Sequence, residues 1–200
     1  VPIANDAELA LSVAHASRLV QDIQDYCGKA PRPGSQFSFP RGLIGTAEEY
    51  RQTCPGYLDQ RQQSSCAYGF MYLDVIWWLL ARTDLSGIAK EMVIKSAIIT
   101  LSSILEALLE ISAGGIFASI KGVKPRLDRA CENKWISEQE RDSLKQLWDH
   151  RNNVHIRLLD THEFNKYRPE HFNVPRQAFG VLMQNLKRWH ERRESGEALK

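Results

Sequence analysis

The chain has 200 residues, 43% hydrophobic and 25% charged, with a formal charge of +2. That suits a soluble domain with a real core, since a chain of this size buries roughly 70% of its unfolded surface. Four cysteines (Cys27, Cys54, Cys66, Cys131) with no C-x-x-C pair argue against a disulfide scaffold or a zinc site, and a charge so near zero leaves any basic surface local.

The start, Val-Pro-Ile-Ala-Asn-Asp, has no signal-peptide character and no initiator Met, as in a trimmed chain. Asn5-Asp6-Ala7-Glu8 reads as a capping box. It opens a helix whose stripe is Leu9, Val13, Ala16, Val20 and Ile23, closing near Cys27-Gly28. Residues 28–56 hold Pro31, Pro33, Gly34, Pro40, Gly42 and Gly45, too many breakers for an element interior. This is a long loop or insertion in which Phe37 and Phe39 are free to fold back or grip a partner. Within it, Thr46-Ala47-Glu48-Glu49 is a second capping box, opening a short helix that stops before Pro55-Gly56.

Residues 57–83 read as a long helix, apolar nearly all round from Phe70 to Leu80, hence central or half-buried against a partner chain. The run 70–81 contains Asp74 and is shorter than the ~18 residues a membrane span needs. Its aromatics, Tyr68, Phe70, Tyr72, Trp77 and Trp78, fit a core or a dimer interface better than a base-stacking platform. A helix over 88–112 presents Met92, Ala97, Leu101, Ile104, Leu105 and Leu108, and a shorter one spans about 124–134. Ser137-Glu138-Gln139-Glu140 caps a helix predicted over 137–160, with Leu144, Leu147, Trp148, Val154 and Leu158 as its stripe. A connector covers 161–174, and a last amphipathic helix runs from Pro175, suited to a first turn, to about Arg193. Lys187, Arg188, Arg192 and Arg193 on it are interleaved with Glu191 and Glu194, as on a solvated face. The fold class is all-α: one domain over 1–200, a bundle of about five long helices with an N-terminal helix and a long Pro/Gly-rich loop.

The chemistry concentrates in Arg151-Asn152-Asn153-Val154-His155. On a continuous helix, residues four apart share a face, so guanidinium and imidazole converge on one ligand. Arg offers a permanently charged fork for phosphate, and His titrates near neutral pH. The bland alternative pairs Arg151 with a carboxylate such as Asp149 or Asp160. Five of the six His (His150, His155, His162, His171, His190) lie in the last 51 residues without an established ligand spacing, so no metal is expected.

Three segments in order, Ser102-Ser103-Ile104-Leu105-Glu106-Ala107-Leu108-Leu109, Pro125-Arg126-Leu127-Asp128-Arg129-Ala130, and Leu144 to His155, resemble the HEPN superfamily. These are all-α domains of prokaryotic toxins, abortive-infection proteins and CRISPR-associated ribonucleases. The family motif is Arg, then a polar residue, commonly Asn, with four to six residues between Arg and His. Arg151 and Asn152 match it; His155 follows after three residues. The resemblance implies a HEPN-like bundle, and metal-independent RNA cleavage by Arg151, Asn152 and His155 without a cofactor. It further implies Glu106 as a supporting residue approaching Arg151 from the neighbouring helix. A homodimer would bring two motifs to one cleft. Expected partners are RNA, a second copy and a protein partner or antitoxin, with no membrane, no reading of DNA sequence and a cytoplasmic location. The other reading is a non-catalytic helical module for dimerisation or partner binding.

Overall fold

A computed structural model describes residues 2–111, 116–154 and 166–196. Among them are seven α-helices and no strand. The chain divides into two compact units, Val1–Arg41 and Gly42–Lys200, where the sequence reading takes 1–200 together.

The first unit holds helix α1, Asp6–Cys27. The Asn5 side chain accepts from the Glu8 amide at 2.9 Å, while the Glu8 carboxylate accepts from the Ala4 amide at 3.0 Å. Gly28, at φ +58°, ends the helix by donating to the Gln24 carbonyl. No residue of α1 is buried, and the expected stripe lies in the open: Val13 is 55% exposed and Val20 48%.

The second unit holds α2 (Ala47–Thr53), α3 (Gln60–Arg82), α4 (Gly87–Ile111), α5 (Val123–Glu132), α6 (Glu138–Asn152) and α7 (Glu170–Glu194). At its centre is α4, packed against α3, α5, α6 and α7. Ile94, Ala97, Ile98, Leu101, Ile104, Leu105, Leu108 and Leu109 are all buried, an arc wide enough to meet several neighbours. The segment Gly87–Glu110, not 70–81, is long and apolar enough to cross a membrane by length and composition, and 50% of its apolar window is buried inside the protein. A Cβ on Gly69 would stand 2.8 Å from Ile104 Cδ1, so glycine lets α3 lie close on α4.

Helix α3 is half-buried rather than central. Cys66, Ala67, Leu73 and Ile76 are its buried residues, while Tyr68 and Tyr72 are exposed and so are not core. It begins at Gln60, three residues later than the sequence reading, because Asp59 and Gln62 form a capping box. Conversely, α7 begins at Glu170, five residues earlier than expected. Pro175 is therefore a buried helix-interior residue and not an N-terminal one. The cost of its missing N–H is offset by burial along Phe172, Pro175, Phe179, Leu182, Leu186 and Trp189. Ahead of α7, the buried carboxylate of Glu91 on α4 accepts the amides of Lys166 (3.1 Å) and Tyr167 (3.4 Å).

Candidate functional site

Helix α6 opens with the full capping box, Ser137 and Glu140 each serving the other's backbone amide, and buries Leu144 and Leu147 against the core. It ends at Asn152, short of the Asp160 expected from sequence. Asn153 is the C-cap, its amide shared between the Asp149 and Arg151 carbonyls, and the Val154 amide donates to the Arg151 carbonyl three residues back at 3.4 Å. The one-face argument for Arg151 and His155 needed a helix continuing beyond Asn152. His155 itself, like Asp160 and Leu158, lies outside the described residues.

Arg151 sits in the last turn of α6, where a cation complements the carbonyl end of the helix dipole. Its Nη2 stands 3.5 Å from Glu106 Oε2 on α4, both side chains about one-third exposed. Its Nη1 donates to Asn152 Oδ1 at 3.2 Å, and the guanidinium carbon lies 4.8 Å from the centre of the Trp148 ring. Glu106, Arg151 and Asn152 are thus brought together, with Trp148 as a floor that the sequence reading treated only as part of the apolar stripe. Asp149, offered as an alternative partner, instead pairs with Lys124 at 2.6 Å. The three sequence segments are neighbours in space, with α4, α5 and α6 in mutual contact. Asp128 of α5 ties to Lys145 of α6 at 2.5 Å.

Two of the histidines set aside as metal ligands from the sequence meet in the fold. His150 of α6 stacks on His171 of α7, ring centres 4.2 Å apart and planes inclined by 24°. Burial, helped by the neighbouring His171 and opposed by Asp149, holds His150 below the ordinary imidazole value. Neutral near pH 7, it is a proton acceptor. His171 Nδ1 accepts the Arg168 amide at 3.3 Å, which places the proton of its neutral ring on Nε2. Twenty-one positions separate the two rings, so only the packing of α7 on α6 reveals them.

Elsewhere in the second unit, an open cleft of about 490 Å³ is lined by Gly56, Tyr57, His190, Arg193 and Glu194. His190 meets Tyr57 edge-on at 5.7 Å and lies 3.9 Å from Glu194. The basic cluster of α7 is partly engaged: Lys187 donates to the Gln52 carbonyl at 2.9 Å, and Arg193 lies over Trp189. Among the described residues, no group of three or more His, Cys, Asp or Glu is placed to hold a metal ion.

No protein-family model matches the chain, and neither a search of curated proteins nor one of solved structures returns a match.

Proposed function

We propose that the chain is an RNA-cleaving domain of a defence or toxin system, or a domain derived from one, resembling the HEPN ribonucleases. The observation that carries the reading is the seating of Arg151: a guanidinium one-third exposed, oriented by Glu106 and Asn152 and backed by Trp148. Such an arginine is fixed in advance where charge would build on phosphoryl oxygens. In the proposed reaction a ribose 2′-hydroxyl attacks the adjacent phosphorus and gives its proton to an imidazole, while the 5′-oxygen leaves and takes one up. His155 is the imidazole assigned by the motif. Asn152 orients Arg151, and Glu106 keeps the fork from swinging away. Pairing of two copies across α6 would supply a second Arg and His.

The test is cleavage of RNA by the purified chain with EDTA present, reading both rate and 2′,3′-cyclic phosphate ends. Arg151→Ala should slow cleavage about 10²–10³-fold, as loss of one charged transition-state contact does. His155→Ala should slow it roughly 10²–10⁴-fold, and Arg151→Lys should rescue only partly, because an ammonium cannot make the two-pronged contact. Absence of cleavage, or cleavage abolished by EDTA, defeats the catalytic form of the reading.

A second reading, a non-catalytic helical module that dimerises or docks a protein, is favoured by one observation: Arg151 already has a carboxylate, an amide oxygen and an aromatic ring as partners. If Arg151→Ala unfolds the protein while wild type leaves RNA intact, this reading stands.

A further inference from the structure

Helix α1 carries apolar side chains in a strict alternation of four and three: Leu9, Val13, Ala16, Val20, Ile23, Cys27. Its period is 3.5 residues, the spacing that keeps one seam facing a partner along a left-handed supercoil. In heptad terms, Val13, Val20 and Cys27 occupy position a, and Leu9, Ala16 and Ile23 position d. None of these residues is buried, and Leu9, Val13, Val20 and Ile23 are 36–55% exposed. A run of 22 residues is about 33 Å of helix, or three heptads.

The charges say what kind of surface the seam accepts. The positions flanking it, e and g, are Ala10, Ser12, Ser17, Leu19, Gln24 and Tyr26, without a formal charge. Asp6, in the first turn, stands at position a itself; every later charged or titratable imidazole side chain of the helix (Glu8, His15, Arg18, Asp22, Asp25) falls at position c or f, away from the seam. An acidic or basic partner would find no counter-charge along the rims. A second α1 presents the same neutral rims and the same apolar knobs, so two copies meet without like-charge repulsion along the rims, and an antiparallel pairing keeps the two Asp6 carboxylates at opposite ends. Leu19 and Tyr26 at position g, 48% and 75% exposed, widen the apolar strip on one side. A groove of about 250 Å³ between Val20, Ile23 and Cys27 and the loop residues Pro31 and Phe37 extends it further within the same unit.

From this pattern we infer that α1 is a self-association element: two copies of the chain pair through their α1 seams as a short coiled coil. The pairing is independent of the proposed RNA chemistry, and it uses a different surface from the α6 pairing that chemistry would call for.

Sedimentation equilibrium of the full chain tests it, with wild type expected to be a dimer at tens of micromolar. The double substitution Val13→Glu, Val20→Glu replaces four valines of the paired seam by carboxylates and should raise the dissociation constant about 10⁴-fold, burial of each valine being worth roughly a tenfold factor. Leu11→Glu, at position f and 72% exposed, is the control and should stay dimeric. Because α1 buries no residue, the unfolding transition of the second unit should be the same in all three proteins and will show that this unit remains folded, while helical circular dichroism reports on α1 itself. A wild-type monomer overturns the inference. So does association that the double substitution leaves unchanged in size and dissociation constant, which would place the interface elsewhere; a dimer left behind from a larger wild-type assembly is the α6 pairing and supports the inference.

Discussion

Helices α1 and α4 run for 22 and 25 residues, and both repeat apolar side chains every three or four positions. In α4 the apolar positions double up, as at Ala97-Ile98, Ile104-Leu105 and Leu108-Leu109, and all six are buried. In α1 a single seam repeats every 3.5 residues, widened only at Leu19 and Tyr26, every charge after Asp6 lies off it, and nothing is buried. The width of an apolar stripe therefore carries more information than its period. A broad arc needs several neighbours and finds four within its own unit, whereas a narrow seam suits one further helix.

The contrast can be broken most forcefully at the core. Leu105→Ala removes a side chain with no exposure and should destabilise the protein by about 2–5 kcal/mol in urea unfolding. Leu11→Ala on α1 should stay within about 0.5 kcal/mol of wild type. Equal losses at the two sites would mean that α1 belongs to the cooperative core.

Caps sharpen the comparison with a smaller effect. Ser137→Ala leaves the first turn of α6 without its acceptor and should cost ~1 kcal/mol of the main unfolding transition. Asn5→Ala removes the corresponding acceptor of α1. It should reduce helical circular dichroism while leaving the main transition where it was.

The smallest effect expected is a pH dependence. His150 binds its proton less readily when folded than at its ordinary value of 6.5, through burial first and the facing His171 second, with Asp149 opposing. The unfolded chain therefore takes up the proton first as pH falls. The stability linked to His150 is fully present above pH 6.5, declines below it and levels off once the folded imidazole has titrated too. Replacing His150 by Gln should flatten urea midpoints between about pH 7 and pH 5; a slope unchanged by that substitution would assign the dependence to another group.

What the sequence disclosed and what it hid follow from the range of the forces involved. Local signals were readable: the Thr46 and Ser137 capping boxes, the breakers after Cys27 and the stripe of α4 all involve residues within four positions of each other. The Asp59–Gln62 box is equally local but fell inside the helix read from Tyr57. The end of α6 was misplaced because Val154 and Leu158 keep the helical period, while Asn153, a weak stop signal, takes the C-cap. Pro175 was misplaced for the opposite reason: a proline usually marks a start, and only tertiary burial tolerates it six residues into α7. Seeing Trp148 under Arg151, or His150 against His171, required knowing which faces of α4, α6 and α7 meet. Helical periodicity alone does not specify that.

The Glu91 carboxylate has a consequence for how α7 is placed. By taking the amides of Lys166 and Tyr167, it moors the backbone to the central helix before α7 begins. Upstream, the Val154 amide is already bonded to Arg151 at the end of α6. The two moorings bracket residues 155–165, the stretch that contains His155. The entry to α7 is therefore set by a side chain of the central helix, so the last element of the bundle takes its starting point from the core it packs on.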